Sequence, residues 1–152
     1  MKANHALTCV YVFRHQGATP ELLLIRRAEG RYMGGTWSTV YGGIEGSETA
    51  WQAAIREMKE ETGLSPAGLY HAGTVETFYI AEMDTVFHCP CFAARVDPEV
   101  PVHLNEEHDA YEWVSVQTAI DRLIWPGQRE AIQEIVREII NKGAAAEFLH
   151  ID

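Results

Sequence analysis

Residues 42–64 read GGIEGSETAWQAAIREMKEETGL, and the pattern changes at Thr49 from a glycine-rich loop to a helix. Thr49 and Gln52 have the spacing of a capping box, in which each side chain accepts a hydrogen bond from the other residue's backbone N–H. Gly63 can end the helix in the left-handed conformation. Apolar residues at helical spacing lie between the two ends: Ala54, Ile55 and Met58. The stretch therefore predicts a helix capped by Thr49 and ended by Gly63.

Three carboxylates crowd one face of this helix: Glu57, Glu60 and Glu61. Like charges at this spacing cost a few tenths of a kcal/mol per pair, and near the end of a helix they also oppose its dipole by about 0.3–1 kcal/mol each. Arg56 can pair with Glu60, whereas Glu57 and Glu61 have no cation three or four residues away among residues 53–65. A divalent cation between Glu57 and Glu61 would turn this repulsion into binding, and Mg²⁺ suits oxygen ligands. A solvated acidic face is the alternative for the helix considered alone.

The composition is that of a soluble globular chain of one domain, spanning residues 1–152, with 47% apolar and 22% charged residues. The net charge of −10 argues against general nucleic-acid binding, which requires a surplus of Lys and Arg. The three cysteines have no zinc-binding spacing, and no segment is apolar enough to span a membrane, so we expect reduced thiols and a cytoplasmic location.

The rest of the chain alternates between strand and helix patterns. Strands are predicted at 6–15, 21–27, 37–41, 69–80, 84–96 and 111–115, and helices at 116–124 and 128–141. Strands on both sides of a central helix, followed by a terminal helix, indicate an α/β or α+β fold in three layers, with a mixed sheet between helices.

The fixed positions around the acidic helix resemble the signature of the Nudix hydrolases. Gly42 is followed after five residues by Glu48, and after seven more by the run Arg56-Glu57-Met58-Lys59-Glu60-Glu61-Thr62-Gly63-Leu64. This resemblance implies the family's sandwich of a mixed sheet between helices. Within the family, the chain looks most like the MutT-type enzymes, particularly the dATP and dihydroneopterin triphosphate pyrophosphohydrolases.

The resemblance also implies roles for individual residues. Glu57 and Glu61 would be the leading metal ligands and catalytic acids. Arg56 would orient the neighbouring carboxylates, and Glu48 is the expected partner of Arg56. Further candidate ligands are Glu60, Glu107 and the carbonyl of Gly42. Glu106 is an alternative to Glu107, which could also act as the general base, and His108 is expected to be a surface or packing residue.

Three residues are expected to contact the substrate: Arg26, Tyr41 and Trp125. Arg26 would touch a phosphate, although Arg27 could be the inward-facing residue, because neighbours in a strand face opposite ways. Tyr41 and Trp125 could flank a base, or could belong to the core.

The activity implied is Mg²⁺-dependent hydrolysis, with Mn²⁺ as a substitute, of a small nucleotide-type substrate. A nucleoside triphosphate would give a nucleoside monophosphate and pyrophosphate. The alternatives are ADP-ribose, an oxidised nucleotide or a dinucleoside polyphosphate, for which Tyr79, 15 residues after Leu64, would be a landmark. A non-catalytic metabolite sensor is a further alternative. An apolar strand edge could support a homodimer.

Overall fold

The computed structural model describes residues 1–151, which form nine strands and four α-helices. The strands are β1 (Lys2–Asn4), β2 (Leu7–Gln16), β3 (Thr19–Arg27), β4 (Trp37–Ser38), β5 (Val40–Gly43), β6 (Gly68–Ile80), β7 (Thr85–Arg95), β8 (His108–Ser115) and β9 (His150–Ile151). The α-helices are α1 (Ala50–Thr62), α2 (Val116–Arg122), α3 (Pro126–Glu134) and α4 (Ala146–Leu149). None of the helices in this range is long and apolar enough to cross a membrane.

Helix α1 has the ends that the sequence predicts. The Thr49 side chain accepts a hydrogen bond from the backbone N–H of Gln52 at 3.2 Å, and the Gln52 side chain accepts one from the backbone N–H of Thr49 at 2.8 Å. Gly63 closes the helix with φ at 74°, a left-handed conformation that favours glycine. The acidic helix is therefore held at both ends by its own sequence.

The sheet is mixed, as predicted. Strands β2 and β3 form an antiparallel hairpin, β7 runs parallel to β2, and β6 runs antiparallel to β7. Strands β2 and β3 pair only near their turn. Farther from the turn, β4 pairs with β3 and β5 pairs with β2. Strand β8 pairs with the other edge of β3 and brings the chain back towards the end of α1.

Helices cover both faces of this sheet, which confirms the prediction of three layers. Alternate residues of β2 face opposite sides, so that Val10 packs with Met58 of α1 while Tyr11 packs with Ile132 of α3. Each face has its own buried apolar cluster, and Met58 and Ile132 are both fully buried. The two faces of the sheet therefore offer two separate environments.

The largest difference from the sequence prediction lies in the terminal helix. The apolar spacing predicts a helix over 128–141, whereas α3 begins at Pro126 and ends at Glu134, and a π-helix follows over Ile135–Ile140. Proline favours the first position of a helix, which explains the earlier start. The backbone N–H of Asn141 bonds to the carbonyl of Val136, five residues back, a register that side-chain spacing does not reveal.

The remaining differences are small. Strand β8 begins at His108 rather than residue 111, and helix α2 ends two residues earlier than predicted. The strands β1 and β9 were not predicted, because two or three residues are too few to show a strand pattern.

Candidate active site

The acidic face of α1 is turned partly towards the protein. Met58 anchors the helix on the sheet, and Glu61, three residues on, is buried with only 2% of its surface exposed. The Glu57 side chain is also mostly covered, whereas that of Glu60 is 54% exposed. Glu57 and Glu61 therefore form the inner pair of carboxylates, and Glu60 lies at the outer side.

Arg56 binds the surrounding acceptors. Its guanidinium donates hydrogen bonds to Glu48 at 2.6 Å, to Glu57 at 2.9 Å and to the backbone carbonyl of Gly43 at 2.7 Å. It also reaches Glu60 at 3.3 Å. The predicted contact between Arg56 and Glu48 is therefore present. Because the guanidinium bonds helix and loop together, it fixes the position of Glu57 relative to β5.

Gly42 leaves the space that Glu57 occupies. A β-carbon on Gly42 would overlap the carboxyl group of Glu57, and any side chain there would displace it. Position 42 therefore requires glycine, because the Glu57 carboxylate approaches its backbone closely. The Gly42 carbonyl remains a predicted ligand.

A second group of potential metal ligands lies at the C-terminal end of α1. Oxygen atoms of Glu61 and Glu107 and a ring nitrogen of His108 all lie within 4.8 Å of one another. The turn before β8 positions Glu107, whose backbone N–H bonds to the Asn105 side chain at 3.0 Å and whose carbonyl accepts from Ala28 at 3.0 Å. Glu107, rather than the exposed Glu106, therefore belongs to the cluster.

The electrostatics of the cluster favour a bound cation. Burial, together with the neighbouring Glu107 carboxylate, raises the pKa of Glu61 to about 9. Burial also raises the pKa of Glu57, against the opposing effect of Arg56. The Oε2 atom of Glu61 and the Nδ1 atom of His108 have no hydrogen-bond partner within residues 1–151. Unpaired buried oxygens beside further carboxylates fit a hard divalent cation such as Mg²⁺.

The three predicted substrate residues lie in different places. Arg26 bonds to Asp109 at 2.7 Å, and its guanidinium carbon lies 5.9 Å from the centre of the Trp37 ring. Arg27 is the register partner of His108, and its positive charge opposes the rise in the pKa of Glu61. Of the two strand neighbours, Arg27 is therefore the one whose charge acts on the carboxylate cluster.

Tyr41 and Trp125 lie on the opposite side of the sheet from Glu57. Tyr41 packs with the apolar cluster beneath α3, and its hydroxyl donates to Glu76 at 2.7 Å. Trp125 caps the start of α3 and is 52% exposed. Tyr79, the landmark of the dinucleoside polyphosphate alternative, is exposed and donates to Asp84 in the turn between β6 and β7.

Sequence reasoning missed one buried carboxylate and left the place of His108 open. His108 was expected to be a surface or packing residue, and it is buried, with Nδ1 3.8 Å from Oε1 of Glu61. Glu76 was not singled out, although it is a buried carboxylate on β6. The signal available was its spacing of two residues from Phe78, because alternate residues of a strand share one face.

Comparison with known proteins identifies the family. The sequence model described as "NUDIX domain" matches residues 3–135. The chain belongs to the Nudix family.

Proteins with similar sequences are named for different activities. The chain is 37% identical over 126 residues to an octanoyltransferase from Myxococcus xanthus, covering 82% of this chain and 34% of that protein. It is 34% identical over 113 residues to a putative 8-oxo-dGTP diphosphatase 3 from Mycobacterium tuberculosis, covering 72% of this chain and 51% of that protein. The Nudix chain thus spans a third to a half of the length of these relatives.

A solved structure of similar size supports the family fold. The MutT protein from Methanosarcina mazei superposes with a TM-score of 0.73 at 25% identity, covering 93% of this chain and 99% of that one. In this Nudix chain, α1 is the helix that carries the acidic residues, and the loop before it makes the Gly42–Glu57 contact described above.

Proposed function

We propose that this protein hydrolyses a phosphoric anhydride bond in a small nucleotide and depends on Mg²⁺, for which Mn²⁺ can substitute. The simplest substrate is a nucleoside triphosphate, which gives a nucleoside monophosphate and pyrophosphate. The observation that carries the proposal is the buried Glu61 carboxylate, which has one unpaired oxygen and lies beside Glu107. The similarity to a relative whose name is that of an 8-oxo-dGTP diphosphatase supports a nucleotide substrate.

The metal would be held by carboxylates from two elements. Glu57 and Glu61 come from α1 and Glu107 from the turn before β8, with Glu60 and the Gly42 carbonyl as further candidates. Bound Mg²⁺ would polarise the diphosphate and lower the pKa of a water molecule. Arg56 and Glu48 would act as positioning residues, because Arg56 touches Glu57 and Glu48 holds Arg56.

The protein's own groups supply the remaining steps. Arg27 would face a substrate phosphate, since its charge already acts on the cluster. Glu107 or one of the α1 acids would take the proton from the attacking water, whose oxygen forms a bond to phosphorus. The bond from that phosphorus to the bridging oxygen breaks, and the electron pair stays on that oxygen, which leaves as part of the pyrophosphate or of the nucleoside monophosphate.

A substrate panel tests this proposal. The panel contains dATP, dGTP, 8-oxo-dGTP, ADP-ribose and a dinucleoside tetraphosphate, and its products are resolved as pyrophosphate, phosphate or nucleoside monophosphate. We expect Mg²⁺-dependent hydrolysis of at least one triphosphate, complete inhibition by EDTA, and loss of turnover in Glu61→Gln. Glu82→Gln, a change of the same charge in the exposed turn after β6, is the control. Equal turnover by Glu61→Gln and the wild type would contradict the proposal.

A further inference from the structure

A second polar cluster lies on the α3 side of the sheet, around Glu76 of β6. Glu76 is 7% exposed, and its Oε1 atom accepts a hydrogen bond from the Tyr41 hydroxyl at 2.7 Å. Its Oε2 atom has no hydrogen-bond partner in the part of the chain that the structure describes. Burial raises the pKa of Glu76, and the hydrogen bond from Tyr41 opposes this rise. A buried carboxylate oxygen without a donor costs folding free energy, which a ligand that donates to it would restore.

A cavity of about 280 Å³, here called the Glu76 cavity, opens between β6 and the start of α3. Gly127 makes room for the carboxylate, because a β-carbon at that position would lie 2.7 Å from Cγ of Glu76. Thr74 also lines the cavity, and its Oγ1 atom is buried without a hydrogen-bond partner within residues 1–151. Glu130 of α3 adds a second carboxylate. The cavity therefore offers acceptors from three residues, two of which have an unpaired buried oxygen.

The chemistry of the Glu76 cavity suits an organic cation. Apart from the two carboxylates, its lining consists of threonine, valine, proline, glycine and alanine, so no side chain of the lining is cationic. The one group of three side chains in residues 1–151 that is compact enough to hold a metal ion lies elsewhere, at Glu61, Glu107 and His108. An ammonium group on a hydrocarbon chain has three donors and no acceptor, which matches a few acceptors between apolar walls.

The Glu76 cavity adjoins a longer groove of about 560 Å³, here called the acidic groove, with which it shares Thr74 and Glu130. Three glutamates follow one another along its helical wall at a spacing of four residues: Glu130, Glu134 and Glu138. Glu138 accepts a hydrogen bond from the backbone N–H of Ala145 at 2.9 Å. The side chains of Glu130 and Glu134 form no hydrogen bond or ion pair within the described residues. The groove therefore carries two carboxylates that no cation of residues 1–151 neutralises.

The shape of the acidic groove indicates a long, thin ligand. Ala72 and Leu149 line it and are buried, so a hydrocarbon chain can lie on them. Glu130 and Glu134 are separated along α3 by four residues, or about 6 Å. Two ammonium groups joined by four methylene groups are also about 6 Å apart when extended, so each can face one carboxylate.

We propose that the Glu76 cavity and the acidic groove together bind a linear polyamine such as spermidine. A terminal ammonium group donates to Glu76, Thr74 and Glu130 in the cavity, and the rest of the chain lies along the groove beside Glu134. The net charge of −10 favours the approach of a polycation. The site lies on the opposite side of the sheet from the α1 acids, so its ligand is distinct from the substrate and the metal of the proposed function.

Calorimetric titration with spermidine tests this site without any turnover. The titration is made in about 150 mM NaCl, which screens general attraction to an acidic surface, and with MgCl₂ to occupy the α1 acids. We expect one spermidine per chain and about 10- to 100-fold weaker binding in Glu76→Gln, the range of a hydrogen bond to a charged group. Glu82→Gln removes the same charge from the exposed turn after β6 and should keep the wild-type affinity. Binding that does not saturate, or that is equal in the three proteins, would overturn the inference.

A shorter ligand and a second variant test the two parts of the site separately. Butylamine has a hydrocarbon chain but only one ammonium group, so it should bind more weakly than spermidine, and the double change Glu130→Gln and Glu134→Gln should reduce that difference. Equal binding of the two amines to the wild type would contradict the assignment to a polyamine. If Glu76→Gln does not fold, Thr74→Val replaces it, because it removes the unpaired hydroxyl at nearly constant shape. Thr74→Val should weaken spermidine binding by about 3- to 10-fold, and an unchanged affinity would overturn the inference.

Discussion

The Nδ1 atom of His108 lies 3.8 Å from Oε1 of Glu61, where the end of helix α1 meets the start of β8. Both side chains are almost fully buried. The pKa of His108 is lowered to about 4, chiefly by burial, so the ring is neutral at pH 7 and does not neutralise Glu61. The Glu61 carboxylate must therefore hold a proton or be met by another cation.

Binding of Mg²⁺ should stabilise the fold through Glu61. Saturation at about 100 times the dissociation constant contributes roughly 2.7 kcal/mol, or about 5–10 °C in Tm for a chain of this size. We expect this rise in Tm on adding MgCl₂ to the wild type and to Glu82→Gln, measured by thermal denaturation after EDTA treatment. In Glu61→Gln the rise in Tm should fall to about half or less, because tenfold weaker binding leaves only about 1.4 kcal/mol at the same MgCl₂ concentration. A rise of the same size in Glu61→Gln would mean that Mg²⁺ binds elsewhere.

Gly42→Ala should disturb the site, whereas Gly43→Ala should not. The methyl group of the first variant overlaps the Glu57 carboxyl group, and crowding of this kind costs about 1–3 kcal/mol. The nearest atom to a β-carbon on Gly43 is the Ala6 carbonyl oxygen at 3.8 Å, an ordinary contact. Denaturant unfolding and Mg²⁺-dependent turnover check the pair. Equal losses in both variants would contradict the explanation given for Gly42.

Much of the site could be predicted because its elements are local in sequence. The capping box, the Gly63 stop and the crowded acids lie within one helix, and each follows from spacing alone. The pairing of Arg56 with Glu48 could also be predicted, because the two residues have opposite charges and lie only eight residues apart.

What could not be predicted depends on contacts between distant strands. Glu76 of β6 contacts Tyr41 of β5 across two intervening strands, β2 and β7, which no local sequence pattern reveals. His108 reaches Glu61 only because β8 returns beside β3. The choice between Arg26 and Arg27 depended in the same way on Asp109, which binds Arg26.

Arg56→Lys should lower metal affinity although it keeps the charge. The guanidinium bonds Glu48, Glu57 and the Gly43 carbonyl at once, and an ammonium group cannot reproduce this planar arrangement. Loss of such a supporting group costs about 10–100-fold in metal affinity or activity. The concentration of Mg²⁺ required for half-maximal turnover should rise by that factor. An unchanged Mg²⁺ dependence would show that Arg56 does not position Glu57.

Glu76→Gln should change the pH dependence of stability. Burial raises the pKa of Glu76 above its usual value of 4.5, so the folded state binds this proton more tightly than the unfolded state. The wild type is therefore destabilised by Glu76 as the pH rises from 4.5 through the raised pKa, and the penalty persists above it. The neutral glutamine has no such penalty. The Tm of the variant minus that of the wild type should increase between pH 4.5 and pH 8, and a difference that stays constant or decreases would contradict the assignment.

Direct titration with Mn²⁺, followed by electron paramagnetic resonance of the free ion, tests the central claim that the inner carboxylates bind a divalent cation. The variants Glu57→Gln, Glu61→Gln and Glu107→Gln each remove one proposed ligand, and Glu82→Gln is the charge-matched control. We expect the wild type and the control to bind Mn²⁺ with equal affinity, and each of the three ligand variants to bind at least about tenfold more weakly. Equal Mn²⁺ affinity in all five proteins would contradict the account.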